Sequence, residues 1–215
     1  MSLLWTYIKF YAKIIYVMDK KFLIVITGKS GVGKSVFSKI LANELDCLLL
    51  NLDNISHLSL EDNEIKSKLK TNFGEEIFDG DKILRKKLGK IVFNNPEKLN
   101  FLNSISQIFM EDYIDNFIKN SNKKFIILEY ALLTKMKYFN DSDYKILIYA
   151  DKQTRFDRLI KRDNVTEDYL NLREKNLPDF DKSNFDECID NSISKNQDLY
   201  EIAKNIAKKI QTPTN

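Results

Sequence analysis

Four stretches of this chain are nearly unbroken apolar runs, and a fifth is shorter and mixed: 22–27 (FLIVIT), 47–52 (CLLLNL), 124–130 (KFIILEY), 145–150 (KILIYA) and 186–190 (DECID). Their length and branched side chains predict strands. Runs without polar alternation predict burial on both faces, as in parallel sheets. Between them, apolar residues recur every three or four positions, which predicts helices near 34–45, 61–70, 82–93, 97–119, 152–162, 166–176 and 197–210. Strands alternating with helices imply an α/β fold with a five-stranded parallel sheet flanked by helices. Residues 54–122 are too many for one crossover and predict a helical lobe beside the sheet. Residues 152–178 form a second helical excursion, ending at Pro178.

The ends carry less information. Residues 1–17 are apolar and aromatic, but Lys9 and Lys13 interrupt them. The stretch is too short and too charged to span a bilayer. It lacks the basic start and small-residue cleavage site of a signal peptide. Either Met18 is the true start, or the segment is an amphipathic extension on the body. The tail from Gln211 is expected to fray.

Composition narrows the class without naming a partner. A chain of 215 residues, 43% hydrophobic and 30% charged, is long enough for one domain with inserted subdomains and reads as a soluble globular protein. The net charge of +3 is weak and its signs are interspersed, so neither nucleic acid nor an anionic membrane is implied. Cys47 and Cys188 sit in strand-like runs and are expected to be buried free thiols, consistent with the cytosol.

The chemistry is concentrated after the first strand. Gly28-Lys29-Ser30-Gly31-Val32-Gly33-Lys34-Ser35 fits G-x-x-x-x-G-K-[ST] at every fixed position. It lies between a predicted strand and a predicted helix, the context the motif requires. Such a loop turns its backbone N–H groups inward around phosphate, and the helix N-terminus adds partial positive charge. Lys34 then reaches the β- and γ-phosphates of a nucleoside triphosphate, and the Ser35 hydroxyl can ligate Mg²⁺.

Four further places suggest roles. Asp53, at the end of the second strand run, is either a base or Mg²⁺-water contact for an acceptor hydroxyl, or the N-cap of a following helix. Glu129, ending the third run, either orients Mg²⁺ and its waters or is a polar strand end. Arg155, Arg158 and Arg162 share one helix face by spacing, either to stabilise a transferring phosphoryl group or as a salt-bridged surface. Arg85, Lys86, Lys87 and Lys90 crowd one or two helical turns and suit either an anionic substrate or solvent. His57, the only histidine, reads as exposed and incidental.

These pieces, in this order, resemble the dephospho-CoA kinase family over about residues 22–208. Beyond the phosphate loop, the match rests on Asn72-Phe73-Gly74, Asp79-Gly80 before Arg85, Leu88-Gly89-Lys90-Ile91-Val92-Phe93, Asn95-Pro96-Glu97-Lys98, Leu102-Asn103, Arg158 to Arg162-Asp163, and Ile189-Asp190-Asn191. The resemblance implies a P-loop kinase fold that moves the γ-phosphate of ATP, with Mg²⁺, to the ribose 3′-hydroxyl of dephospho-CoA. It implies a core of residues 22–53, 123–151 and 179–210, an acceptor lobe of 54–122, a lid of 152–178 and an N-terminal extension of 1–21. Asp53 would be the general base, Lys34 and Ser35 would handle phosphate and Mg²⁺, and Arg158 and Arg162 would close over ATP. Asp190 and Asn191 would lie near the adenine, and Arg85 in the acceptor lobe. A cytoplasmic monomer or small homo-oligomer is implied, with neither nucleic acid nor membrane as a partner.

The chain also departs from the family pattern. Asn51 stands for the first acid of a D-x-D segment, Leu84 for an aspartate before Arg85, and Gln107-Ile108 for a His-Pro pair. The third-strand segment reads Glu129-Tyr130-Ala131-Leu132-Leu133-Thr134-Lys135, without the acid that usually follows. Two other readings remain open: a nucleoside, nucleotide or other small-molecule kinase of the same architecture, and a nucleotide-binding module with little catalysis.

Overall fold

A computed structural model of the chain describes residues 21–193 and 198–212. The expectations for residues 1–17 and the last three residues lie outside the described residues.

The five predicted strands form one sheet. They are β1 (Phe22–Thr27), β2 (Leu48–Asn51), β5 (Phe125–Glu129), β6 (Tyr144–Tyr149) and β7 (Glu187–Asp190), in the order β2-β5-β1-β6-β7 and parallel at every pairing. Alternate residues of β1 enter different cores. Leu23 and Val25 pack with Met110 and Ile114, whereas Ile24 and Ile26 pack with Phe37, Leu41 and Ile206. This double burial is why the strands read as continuous apolar runs.

One layer holds α1 (Lys34–Leu45) and α9 (Leu199–Gln211), and the other is built on α5 (Pro96–Asn120). Asn95 caps α5 by accepting from the Lys98 N–H at 3.1 Å, and Pro96 occupies the first turn, where its missing N–H costs nothing. A third core lies in the excursion between β2 and β5, where Leu69, Ile77, Leu88 and Val92 join α3 (Asn63–Phe73) to α4 (Arg85–Phe93). A small fourth core of Phe156, Leu159 and Leu170 joins α7 (Lys152–Asp163) to α8 (Glu167–Glu174).

Several boundaries differ from the sequence-based expectation. The second strand ends at Asn51, and α2 (Leu52–Ser59) begins immediately, a helix the periodicity did not predict. Asn51 stops the strand by accepting from the Asn54 N–H at 3.0 Å. Residues 82–83 form β4 (Lys82–Ile83), paired with β3 (Phe78–Asp79) around a turn at Gly80, so α4 starts only at Arg85. A short helix, α6 (Lys137–Asp141), was also unpredicted. Neither thiol is fully buried: Cys47 is half-buried just before β2, and Cys188 is exposed on the edge strand β7. Burial still pushes the Cys47 thiol up to about 11.

Phe37 is fully buried between the sheet and α1, with no polar atom to rescue a cavity. Phe37→Ala is expected to cost about 3–5 kcal/mol of stability, read as a lower denaturation midpoint with an unchanged transition slope.

Candidate functional site

The site starts where β1 ends. Gly28, Gly31 and Gly33 all have positive φ, and Gly33 opens α1, accepting from the Val36 and Phe37 N–H groups at 3.1 Å each. Two of these glycines are required by crowding. A Cβ on Gly28 would collide with the Ile148 carbonyl of β6, and one on Gly31 would lie 2.7 Å from the Arg155 carbonyl of α7. The loop is therefore pressed between the sheet and the second helical excursion.

Lys34 is buried in this loop. Its ammonium donates to the Gly28 and Lys29 carbonyls at 2.9 and 3.2 Å, folding the side chain back over the nest. Burial pushes its pKa below the ordinary lysine value, Asp53 and Glu129 resist, and Arg162 and Arg155 add to the depression.

Glu129 ends β5 in register with Ile26 of β1 and Asn51 of β2. It is only 1% exposed, and its carboxylate accepts from three side chains. Ser35 Oγ donates to Oε1 at 2.5 Å, while Ser38 Oγ and Asn51 Nδ2 donate to Oε2 at 2.8 and 3.1 Å. It is thus no simple polar strand end. Ser35 and Glu129 lie together where a cation between loop and strand would sit. No cluster of three or more acidic, histidine or cysteine residues that could hold a metal occurs among the described residues. One hydroxyl and one carboxylate fit Mg²⁺, which keeps waters and takes its remaining ligands from phosphate.

Asp53 is neither at a strand end nor an N-cap. It lies in the first turn of α2, and Asn51 is the cap. This turn brings Asp53 into the wall of a cavity of about 440 Å³, together with Ser30 of the phosphate loop. The carboxyl is reachable from the cavity. Loss of water there raises its pKa above the ordinary value, with Lys34 the largest opposing charge and Glu129 reinforcing the rise. Asp53 and Lys34 are therefore near enough for each charge to act on the other.

One turn further along α2, His57 lines the same cavity, with Arg85 at the start of α4 and Arg173 of α8. His57 is exposed, as expected, but is part of the cavity wall. Burial lowers its pKa, Arg85 and Arg173 lower it further, and Asp53 opposes them. Leu84, preceding Arg85, gives α4 no side-chain cap.

The three arginines of α7 do not act as one face. Arg155 is 4% exposed and forms a fork with Glu174 of α8 at 2.9 and 2.7 Å. Arg158 donates to the Gly31 and Asn191 carbonyls at 3.3 and 2.9 Å. Arg162 pairs with its neighbour Asp163 at 2.6 Å and is the one of the three with a mostly exposed side chain in its ion pair. Its charge reaches both Asp53 and Lys34. Asn191 donates to the Val32 carbonyl at 2.8 Å, so the strand end beyond β7 touches the loop. Asp190 instead accepts from the Ser192 N–H and hydroxyl.

The sequence reading missed several contributors. Ser38, Tyr130, Glu174 and Arg173 were not singled out. Ser38 lies one helical turn after Ser35, a spacing that could have been read. Glu174 closes a clasp, accepting from Arg155 and from Lys29 at 3.1 Å, while Lys29 also bonds Asp179 at 3.2 Å. Burial works to raise the Glu174 carboxyl, but its bonds to Arg155 and Lys29 outweigh that and hold it below the ordinary glutamate value.

The raised Asp53 pKa has a stability consequence. A carboxyl whose folded pKa exceeds its unfolded value destabilises the fold when both states are ionised, and stops doing so once both are protonated. Asp53→Asn is therefore expected to raise the melting temperature at neutral pH. The gain should disappear as pH falls below the unfolded value of about 3.9. Thermal melts of both proteins across pH check this; a gain that persists in acid contradicts it.

Comparison with known proteins shows the family of this chain. The dephospho-CoA kinase family matches over residues 22–196. A dephospho-CoA kinase from Leptospira interrogans is 36% identical over 160 residues, spanning 73% of this chain and 77% of the relative. One from Aquifex aeolicus is 31% identical over 183 residues, or 83% and 93% of the two chains. The solved dephospho-CoA kinase from Campylobacter jejuni superposes with a TM-score of 0.50 at 25% identity, covering 88% of this chain and 95% of its own. A Thermus thermophilus structure, at TM-score 0.70 and 22% identity over 90% and 99% of the chains, shares the fold. With the family matched over most of its length, and beside a phosphate loop facing an acid across a cavity, this chain belongs to the dephospho-CoA kinase family.

Proposed function

We propose that this protein transfers the γ-phosphoryl group of ATP to the ribose 3′-hydroxyl of dephospho-CoA, giving coenzyme A and ADP. The observation that carries the reading is that Asp53 of α2 and Ser30 of the phosphate loop line one and the same cavity. A kinase needs both parts beside one cavity, a phosphate grip and a proton acceptor.

Asp53 orients the acceptor hydroxyl and takes its proton as the new O–P bond forms. The bond from the γ-phosphorus to the bridging oxygen breaks, and ADP leaves with that oxygen. Lys34 exchanges its loop carbonyls for phosphate oxygens. Ser35 and Glu129 would hold Mg²⁺, which supplies charge neutralisation on the β- and γ-phosphates. Arg162, with only an adjacent exposed carboxylate as partner, is the arginine free to turn toward the transferring group. Arg158 reads instead as a brace between the loop and the segment after β7, next to Asp190 and Asn191 on the nucleotide side. Arg85 lies in the acceptor wall.

The core of residues 22–53, 123–151 and 179–210, the acceptor lobe of 54–122 and the lid of 152–178 follow as functional units. No helix among the described residues is long and apolar enough to cross a membrane. The reading places the reaction in the cytosol, where both substrates are dissolved.

A coupled ADP-release assay with dephospho-CoA tests the reading. Turnover is expected with this acceptor, and strong turnover of a nucleoside with none of dephospho-CoA would reassign the substrate. Lys34→Ala and Asp53→Asn are each expected to lower kcat by about 10²-fold or more, the scale of lost charge stabilisation or base catalysis, with the fold intact by circular dichroism. Unchanged turnover in the Asp53 variant would remove that residue from the mechanism.

A further inference from the structure

A second, smaller cavity of about 280 Å³ adjoins the catalytic one and shares Leu99, Asn103, Asn176 and Leu177 with it. Its character is different. The catalytic cavity has apolar walls beyond Asp53, including Leu88, Val92 and Phe93. The smaller one is lined by Lys135, Lys175, Asn100, Asn103 and Asn176, with Pro96 from the first turn of α5.

Three sources of positive potential meet there. Lys135 closes the 3₁₀ turn after β5, and Lys175 is the residue that ends α8. Neither has an ion-pair partner among the described residues, although many neighbouring lysines do. The first turn of the 25-residue helix α5 points its positive end at the same space. Asparagine amides add donors without adding an acid. A pocket with two ammonium groups that have no ion-pair partner among the described residues, and with no carboxylate in its wall, is complementary to an anion.

We propose that this pocket is a phosphate-ester subsite and takes the diphosphate of the acceptor, while the ribose sits at Asp53. The inference rests on the proposed function. It adds a recognition element formed jointly by the body, through Lys135, and by the end of the second helical excursion, through Lys175. The acceptor then bridges the two. The Glu174 clasp next to Lys175 holds that half of the subsite in place.

The test compares wild type with Lys135→Gln, Lys175→Gln and the double variant, in full-length protein with ATP. The double variant is expected to raise the KM for dephospho-CoA about tenfold, a loss on the scale of two phosphate contacts, with the change falling on KM rather than kcat. Adenosine has no phosphate. Its inhibition constant against dephospho-CoA should stay the same in all four proteins. Inorganic pyrophosphate should compete with dephospho-CoA in wild type and lose that competition in the double variant.

An unmoved KM for dephospho-CoA in the double variant overturns the subsite. If pyrophosphate binding is lost in that variant while the KM stays put, the pocket takes a free anion and the acceptor assignment is wrong. If wild type does not turn over dephospho-CoA, the functional reading fails instead. Calorimetry with pyrophosphate on wild type and on the double variant then decides whether the pocket binds anions, and the same heat in both overturns that as well.

Discussion

One buried carboxylate ties together the three elements that meet behind the phosphate loop. Glu129 receives the Ser35 and Ser38 hydroxyls from α1 and the Asn51 amide from the start of α2. Those donors come from the helix that carries the phosphate loop and the helix that carries Asp53. The acid itself sits on the central part of the sheet, where β5 pairs with both β1 and β2. A charge this deep costs several kcal/mol unless it is well bonded, so the structure tolerates little variation in where these three elements meet. The grip on phosphate and the acid across the cavity are set at a fixed separation by the same bonds that solvate Glu129.

The second constraint lies on the opposite side of the loop. Glu174 ties α8 to Arg155 of α7 and to Lys29 of the loop, and Arg158 adds bonds to two main-chain carbonyls. The excursion over residues 152–178 therefore meets the phosphate loop through charged and polar contacts. Its own core is only three buried side chains. An anionic nucleotide presents the kind of group that competes for Lys29 and the nearby arginines.

The sheet, its parallel direction and the phosphate loop were legible because each depends on local pattern. Doubly buried strands are apolar throughout, and the loop motif must follow one strand and open one helix. The helical character of the stretch between β2 and β5 was legible, but its internal detail was not. The start of α2 was hidden because Leu52 continues an apolar run that a single capping asparagine interrupts. The arginine spacing on α7 placed three guanidinium groups on one helix face and left their role open. It could not show that each would find a different partner, since Glu174 lies 19 residues from Arg155 and Asn191 lies 33 from Arg158. Pairings over such separations depend on how helices stack, which no periodicity encodes. Asn51 was noticed as a departure from the family pattern, and the structure gives it a physical sense. An acid there would face Glu129 without a donor between them.

The two ends of the Asn51 side chain are spoken for at once. Its oxygen closes the first turn of α2, and its nitrogen serves Glu129. Aspartate and serine can cap, but an ionised aspartate has no hydrogen to offer the neighbouring acid, and serine is a methylene-length shorter than the span. Glutamine has both functions at the wrong reach. Replacement at position 51 is thus coupled to position 129: substituting an acid at the first requires either a proton or a counter-ion at the second. Evolutionary traffic between the two chemistries must pass through paired change or through dependence on a bound cation.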